Sequence, residues 1–272
     1  MIDTDKKPHV SATQLEMWWK CQEQWRRRYI EGEIIPPGMA LLTGTGYHGG
    51  AEVNGRQKIE SHEDLPAAEI VEAAVDRFDT GVMGGYELTA EEKFKGAKTV
   101  IGAAKDTVAG LAKVYADQQA PDYQPVAVEA KVLLNLPNAT HDILGYIDLI
   151  DDLDRIVDFK TAKRSPPQSD AVRSTQLTLY AAAFVREFGR EPRAVRLDCA
   201  VKTKTPKRSV AESTRTAGDY EAMANRITAT LSAINAAKRG EVAFGPASPG
   251  AWWCNAKWCG YYRTCPFVNS AE

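Results

Sequence analysis

Gly145-Tyr-Ile-Asp-Leu-Ile-Asp-Asp-Leu-Asp-Arg-Ile-Val-Asp-Phe-Lys-Thr-Ala-Lys163 is the stretch from which the fold is read. Two apolar segments, residues 143–150 and 155–161, flank the polar Asp151-Asp152-Leu153-Asp154. This is the pattern of a β-hairpin with a short connection. Alternation along the second strand puts Asp158 and Lys160 on one side with Ile156, and Val157, Phe159 and Thr161 on the other. Across the turn Asp148 comes opposite them. Two carboxylates and one ammonium around a point suit a divalent cation beside a phosphate, the acids holding the hard ion and the lysine stabilising charge or aligning water. By itself an Asp-x-Lys pair on a strand is more often a solvated charge pair, so the surrounding pattern has to carry the reading.

That pattern continues beyond the hairpin. Gly145-x-x-Asp148, then Asp158-Phe-Lys160-Thr161, then Gln176-x-x-x-Tyr180 on a helical stretch over 169–188 resembles the nuclease core of the PD-(D/E)XK superfamily, in its RecB-like branch. The resemblance implies a restriction-endonuclease-like α/β core, a mixed central sheet flanked by helices. It implies Asp148 and Asp158 as ligands of Mg²⁺ or Mn²⁺ with the Phe159 backbone carbonyl beside them, and Lys160 as the catalytic amine. Gln176 and Tyr180 would position the nucleic-acid backbone or the lysine, although Tyr180 equally suits a core aromatic touching Phe184. The family's early Gly-x-x-x-His element matches Gly44 to His48, which implies His48 as a further ligand. Gly49-Gly50 directly after it departs from a good helix, at about 1 kcal/mol per glycine relative to alanine. Pro125–Leu136 reads as a strand with Val126, Val128, Ala130 and Val132 on one side and Glu129, Lys131 and Leu133 on the other. Glu129 matches the acidic position the family carries there, implying a ligand or support for a second ion.

The bounds agree with such a domain. At 272 residues and 44% apolar composition the chain can bury a full core, and a single domain over 1–272 is expected. The net charge of −2 gives no sign of nucleic-acid binding for the chain as a whole, so any basic surface must be local. Candidate runs are Arg26-Arg27-Arg28, Lys160 to Arg164 and Lys202 to Arg208, each more commonly a solvated face than a phosphate track. Gly44-Thr-Gly46 is not followed by Gly-Lys-Ser/Thr, which argues against a P-loop nucleotide triphosphatase. No apolar run reaches membrane-spanning length, and the first residues lack the apolar region of a secretory leader. A reduced cytoplasmic setting, in a bacterium or a phage-infected host, is the expectation.

Ser11-Ala-Thr-Gln14 has the form of a capping box and predicts a helix over about 12–29, with Met17, Cys21, Trp25 and Tyr29 on its apolar face and Trp18 alongside. Residues 56–120 alternate charged and apolar residues at helical spacing, predicting two or three inserted helices broken by a loop at Gly81-Val-Met-Gly-Gly85. Residues 194–202 read as a further strand containing Cys199, and 216–240 as a long helix.

The tail differs in character. Cys254, Cys259 and Cys265 fall within twelve residues among Trp252, Trp253, Trp258, Tyr261 and Tyr262, and with Cys21 they number four, the complement of a 4Fe-4S cluster. A zinc site of four cysteines satisfies the same count. The resemblance separates them: one early cysteine and three late ones ending in Cys265-Pro266 are similar to the iron-sulfur staple of CRISPR adaptation nucleases and the AddB subunit. It implies a cluster joining Cys21 to residues 250–267, shielded by the aromatics or leaving them to stack on bases.

The resulting expectation is a metal-dependent deoxyribonuclease, an exonuclease acting on single-stranded or end-bearing duplex DNA in recombination, repair or phage DNA processing. Homo-oligomers and helicase or recombination partners would leave no local signature. The rivals are a non-catalytic nuclease-fold DNA-binding or adaptor subunit, against which the intact Asp158-x-Lys160 argues, and a zinc-stapled DNA-binding protein.

Overall fold

The computed structural model describes residues 7–137 and 139–268, so residues 1–6, read above for a leader, lie outside the described residues. In chain order the elements begin with β1 (His9–Ser11), α1 (Ala12–Lys20), α2 (Gln22–Tyr29), α3 (Met39–Ser61), α4 (Ala67–Met83), α5 (Ala90–Lys95) and α6 (Ala97–Val114). They continue with β2 (Pro125–Leu134), β3 (Asp142–Asp151), β4 (Arg155–Ala162), α7 (Gln168–Arg173), α8 (Thr175–Phe188), β5 (Ala194–Val201), β6 (Lys207–Ser213) and α9 (Ala217–Lys238). The strands form one six-stranded mixed sheet, in order β1-β3-β4-β5-β6 with β2 also paired to β3. The chain divides into two units, one of residues 36–132 and 145–220, the other of 1–35, 133–144 and 221–272.

In the larger unit the hairpin forms as read: Leu149 pairs with Val157 and Ile150 with Ile156, antiparallel. The Asp151 carboxylate caps the turn, accepting from Leu153 N and Arg155 N, and Asp154 takes the left-handed φ of 57°. β4 then runs parallel to β5 through eight residue pairs. One face of this sheet buries Ile147, Ile156, Val195 and Cys199 against Leu177, Tyr180 and Phe184 of α8. The other buries Leu149, Val157, Phe159 and Ala200 against Tyr47 of α3, Leu111 of α6 and Tyr115. Helices on both faces of a mixed sheet are the expected architecture.

The helical layer departs from its sequence reading. α3 runs unbroken through Gly46, Gly49 and Gly50. A Cβ on Gly46 would stand 2.8 Å from the Ala74 carbonyl, and one on Gly50 2.7 Å from that of Ile70. The glycines therefore admit the α4 backbone to close contact, and packing outweighs their poor propensity. α4 likewise continues to Met83, so the loop begins at Gly84 and not at Gly81.

β2 departs too. Glu129 has a φ of 49°, and the alternation breaks there. Ala127, Ala130 and Val132 pack on the α8 side, whereas Val128 and Glu129 both line the cleft beside His48. Two consecutive residues on one face mark a bulge, so Val126, Val128, Ala130 and Val132 do not share a side.

In the smaller unit the single helix expected over 12–29 is two. Cys21 is extended, φ −166° and ψ 111°, and its Sγ caps α2 by accepting from Gln24 N at 3.5 Å. The break rotates the apolar face: Leu15, Trp18 and Trp25 are buried, Cys21 and Met17 are half-buried, and Tyr29 is exposed. Trp18 meets Trp25 edge-on at 5.3 Å, and Phe244 stacks on Trp25. From α9, Thr230 Oγ1 accepts from Trp19 Nε1 at 2.7 Å. No described helix is long and apolar enough to cross a membrane.

Candidate active site

His48 and Glu52 project from α3, Glu129 from the bulge of β2, Asp148 from β3, and Asp158 and Lys160 from β4. One ligand atom each of His48, Glu129 and Asp148 lies within 4.8 Å of the other two. They line a narrow cleft that also touches Glu52 and Phe159.

Asp148 is fixed from two sides. Its Oδ2 accepts the Phe159 N–H at 2.7 Å and stands 3.5 Å from His48 Nδ1. The carboxylate thus takes an amide of the neighbouring strand, and Asp148 lies between Ile147, which faces α8, and Leu149, which faces α3. The Phe159 carbonyl accepts from the His48 ring. Tyr47, Tyr115 and Tyr123 hold the Phe159 ring edge-on at 5.4–6.5 Å, which sets the orientation of that peptide.

Lys160 and Asp158 stand beside this trio. Lys160 Nζ lies 2.9 and 2.8 Å from the two Asp158 oxygens and donates to Gln176 Oε1 at 3.2 Å. Gln176 Nε2 in turn donates to the Tyr180 hydroxyl at 2.6 Å. Tyr180 is 5% exposed and packs in the α8 core, reaching the lysine only through Gln176. Gly145 makes this possible, since a Cβ there would stand 2.8 Å from Tyr180 Cε1.

The electrostatics are those of crowded acids. Burial, then Asp158, push the Asp148 carboxyl well up, Glu129 adding to it against Lys160 and the Phe159 amide. Burial raises Asp158 against the pull of Lys160. Burial and then Glu52 raise Glu129. Burial opposes the charge on Lys160, but Asp158 and Asp148 outweigh it and keep the ammonium protonated. Burial, aided by Lys160, brings His48 down to about 4, leaving a neutral imidazole with a lone pair to offer. Asp158 Oδ2 is buried with no aligned hydrogen-bond donor. Neutral imidazole and mutually repelling carboxylates together make a donor set suited to a hard divalent cation.

Of the residues read from the sequence, His48, Glu129 and Asp148 are drawn into one group. Asp158 is beside it, engaged with Lys160. Glu52 was missed. It lies one helical turn after His48, and the His48-x-x-x-Glu52 spacing on one face was the available signal.

The cysteines of the smaller unit are less drawn together. Burial, and then the neighbouring Cys21 and Cys265, raise the thiols of Cys254 and Cys259. Among the described residues no three sulfurs form a group within 4.8 Å. Of the aromatics around these cysteines, Tyr261 is buried at 4% exposure and Trp253 and Tyr262 are half-buried, whereas Trp252 and Trp258 are exposed.

The profile of the PD-(D/E)XK nuclease superfamily matches residues 9–266. Among solved structures, one described as a "Putative exonuclease" from Eubacterium rectale is similar at a TM-score of 0.58 and 14% identity, over 97% of this chain and 90% of that one. The structure of SSO0001 gives a TM-score of 0.45 and 12% identity, over 97% and 88%. The comparison with curated proteins gave no match.

Proposed function

We propose that this chain, which belongs to the PD-(D/E)XK nuclease superfamily, is a Mg²⁺- or Mn²⁺-dependent deoxyribonuclease that works from DNA ends. The observation that carries the reading is the convergence of His48, Glu129 and Asp148 within 4.8 Å, beside the ion pair of the buried Asp158 with Lys160. His48, Asp148, Glu129 and Asp158 would hold the cation, with the Phe159 carbonyl alongside. When bound, the cation supplies Lewis-acid polarisation of a phosphate oxygen and a more acidic water.

The chain's own groups do the remainder. Lys160, kept protonated, stabilises charge accumulating at the phosphorus and orients the attacking water. A lysine in this state is not a general base. Gln176, anchored by Tyr180, holds the ammonium in place. The family chemistry implies 5′-phosphate and 3′-hydroxyl products without a covalent enzyme intermediate. The designation of the Eubacterium rectale protein is the reason end-directed cleavage is tested first. Recombination, repair and phage DNA processing are the settings in which such an activity serves.

We extend the proposal to a 4Fe-4S cluster on Cys21, Cys254, Cys259 and Cys265, supported by Cys21 and Cys265 standing near enough to Cys254 and Cys259 to act on their thiols. A zinc ion about 2.3 Å from the same four sulfurs is the alternative occupant.

The test is digestion of end-labelled single- and double-stranded DNA with Mg²⁺, with Mn²⁺ and with chelator. Mononucleotide release from one end, abolished by chelator and by Lys160→Ala in a folded protein, is expected. Cleavage indifferent to Lys160→Ala and Asp158→Ala would remove the assignment. Anaerobically purified protein should carry iron, acid-labile sulfide and a visible absorption band, and colourless protein loaded with zinc would refute the cluster.

A further inference from the structure

Two of the basic runs in the sequence are brought side by side by the sheet. β4 and β5 end in register, Ala162 against Val201, and Lys202 N donates to the Ala162 carbonyl at 2.7 Å. Lys163 and Lys202 are the first residues past these two strand ends. Ala200 packs on the α3 side, and Thr161 Oγ1 lies 3.8 Å from where a Gly44 Cβ would be. Both lysines therefore leave the sheet side by side, at the end of the two strands whose α3 face carries His48. Lys163 follows Phe159 by four residue steps, about 13 Å of extended chain.

Their charges are not neutralised. Lys202 is half-buried, yet neither it nor Lys163 has a carboxylate partner among the described residues. By contrast Lys58, Lys95, Lys105 and Lys113 each hold an acid at 2.6–2.8 Å. The charged neighbour that bears on Lys202 is Lys163, and with burial it makes the ammonium easier to deprotonate. Two like charges held together, one of them partly desolvated, cost stability unless an anion joins them.

We infer that Lys163 and Lys202 form a clamp for a backbone phosphate of the DNA strand flanking the scissile one, seating the strand across the end of β4 and β5. The inference rests on the nuclease reading of the site. A phosphate between two ammonium groups gains from both, and the contact carries no base information, so it serves strands of any sequence.

The test uses a fluorescent single-stranded oligonucleotide and the full chain bearing Lys160→Ala, so that binding is read without cleavage. Adding Lys163→Gln and Lys202→Gln should raise Kd about tenfold at moderate salt. It should also reduce the slope of log K against log salt by about 1.4, two contacts at about 0.7 each. With Lys160 intact, the double variant should show a raised KM and an unchanged kcat at saturating DNA. Lys202→Gln alone should raise Tm, since it removes an unpartnered, half-buried charge, and this separates lost binding from misfolding. Lys93→Gln on exposed α5 should change none of these. If affinity and salt slope stay the same while cleavage still requires Lys160, the clamp is overturned and the nuclease reading stands. If the wild type neither binds nor cuts DNA, both are overturned.

Discussion

Lys160 is the residue on which local geometry and chemistry meet. Its ammonium has three anchors, the two Asp158 oxygens and Gln176 Oε1, and the last is held by the Tyr180 hydroxyl from the core. Gln176→Ala should leave the ion pair but free the lysine to swing, lowering kcat by on the order of 10- to 100-fold with little change in KM. Tyr180→Phe should lose less, because only the anchor of the anchor is removed. A steady-state series on one labelled substrate checks the ordering, and equal losses in kcat and KM would point to substrate contact in place of positioning. Cys199 behind the lysine gives a pH prediction. Burial, then Asp198 and Asp158, push its thiol up to about 12, against Lys160. In the unfolded chain the thiol ionises near 9, so folding stability is complete below that pH and is lost as pH rises from about 9 toward 12. The slope is at most about 1.4 kcal/mol per pH unit. Cys199→Ala should flatten that part of the profile in urea melts at pH 8.5 to 10.5.

At the scale of elements, α3 carries the site and its glycines decide where His48 stands. Propensity says that Gly50→Ala should stabilise a helix by about 1 kcal/mol. The 2.7 Å approach to the Ile70 carbonyl says the opposite, since backbone cannot yield as a side chain can. The expected outcome is a loss of about 1–3 kcal/mol in denaturant unfolding. Gly102→Ala on α6, where a Cβ meets nothing within 4 Å, should gain about 0.5–1 kcal/mol. These same features mark what the sequence made legible. The hairpin was readable because its apolar alternation, polar turn and spaced Asp148, Asp158 and Lys160 are all local. The helix through Gly49-Gly50 was not, because its partner α4 is a long-range contact that no window of α3 contains. The bulge at Glu129 was hidden because no glycine or proline announces it, and the break at Cys21 was hidden for the same reason. The site acids were found by motif, but which of them share one point depends on that bulge. Strict alternation in β2 would have set Val128 and Glu129 on opposite faces.

For the molecule as a whole, each unit holds one candidate centre, and their removal should be felt differently. In the smaller unit the proposed cluster would join α1–α2 to the chain's last described segment, so on that proposal Cys259→Ala should bleach the colour of anaerobic protein and lower its stability. In the larger unit the trio draws together α3, β2 and β3, whose residues 48, 129 and 148 only folding can assemble. A cation that binds there binds the folded chain alone, and at one hundred times its Kd it should add about 2.7 kcal/mol. Without a cation the same carboxylates repel one another, and burial adds to the penalty. Asp148→Asn keeps an oxygen for the Phe159 N–H and removes one of the repelling charges. The metal-free variant should therefore melt higher than metal-free wild type, while its rise in Tm with Mn²⁺ shrinks or disappears. Thermal melts of both proteins with chelator and across a Mn²⁺ titration measure the two effects together. A variant that melts lower than wild type in chelator would mean that the acids are held apart well enough not to strain the fold, and the electrostatic argument for a cation at this point would fail.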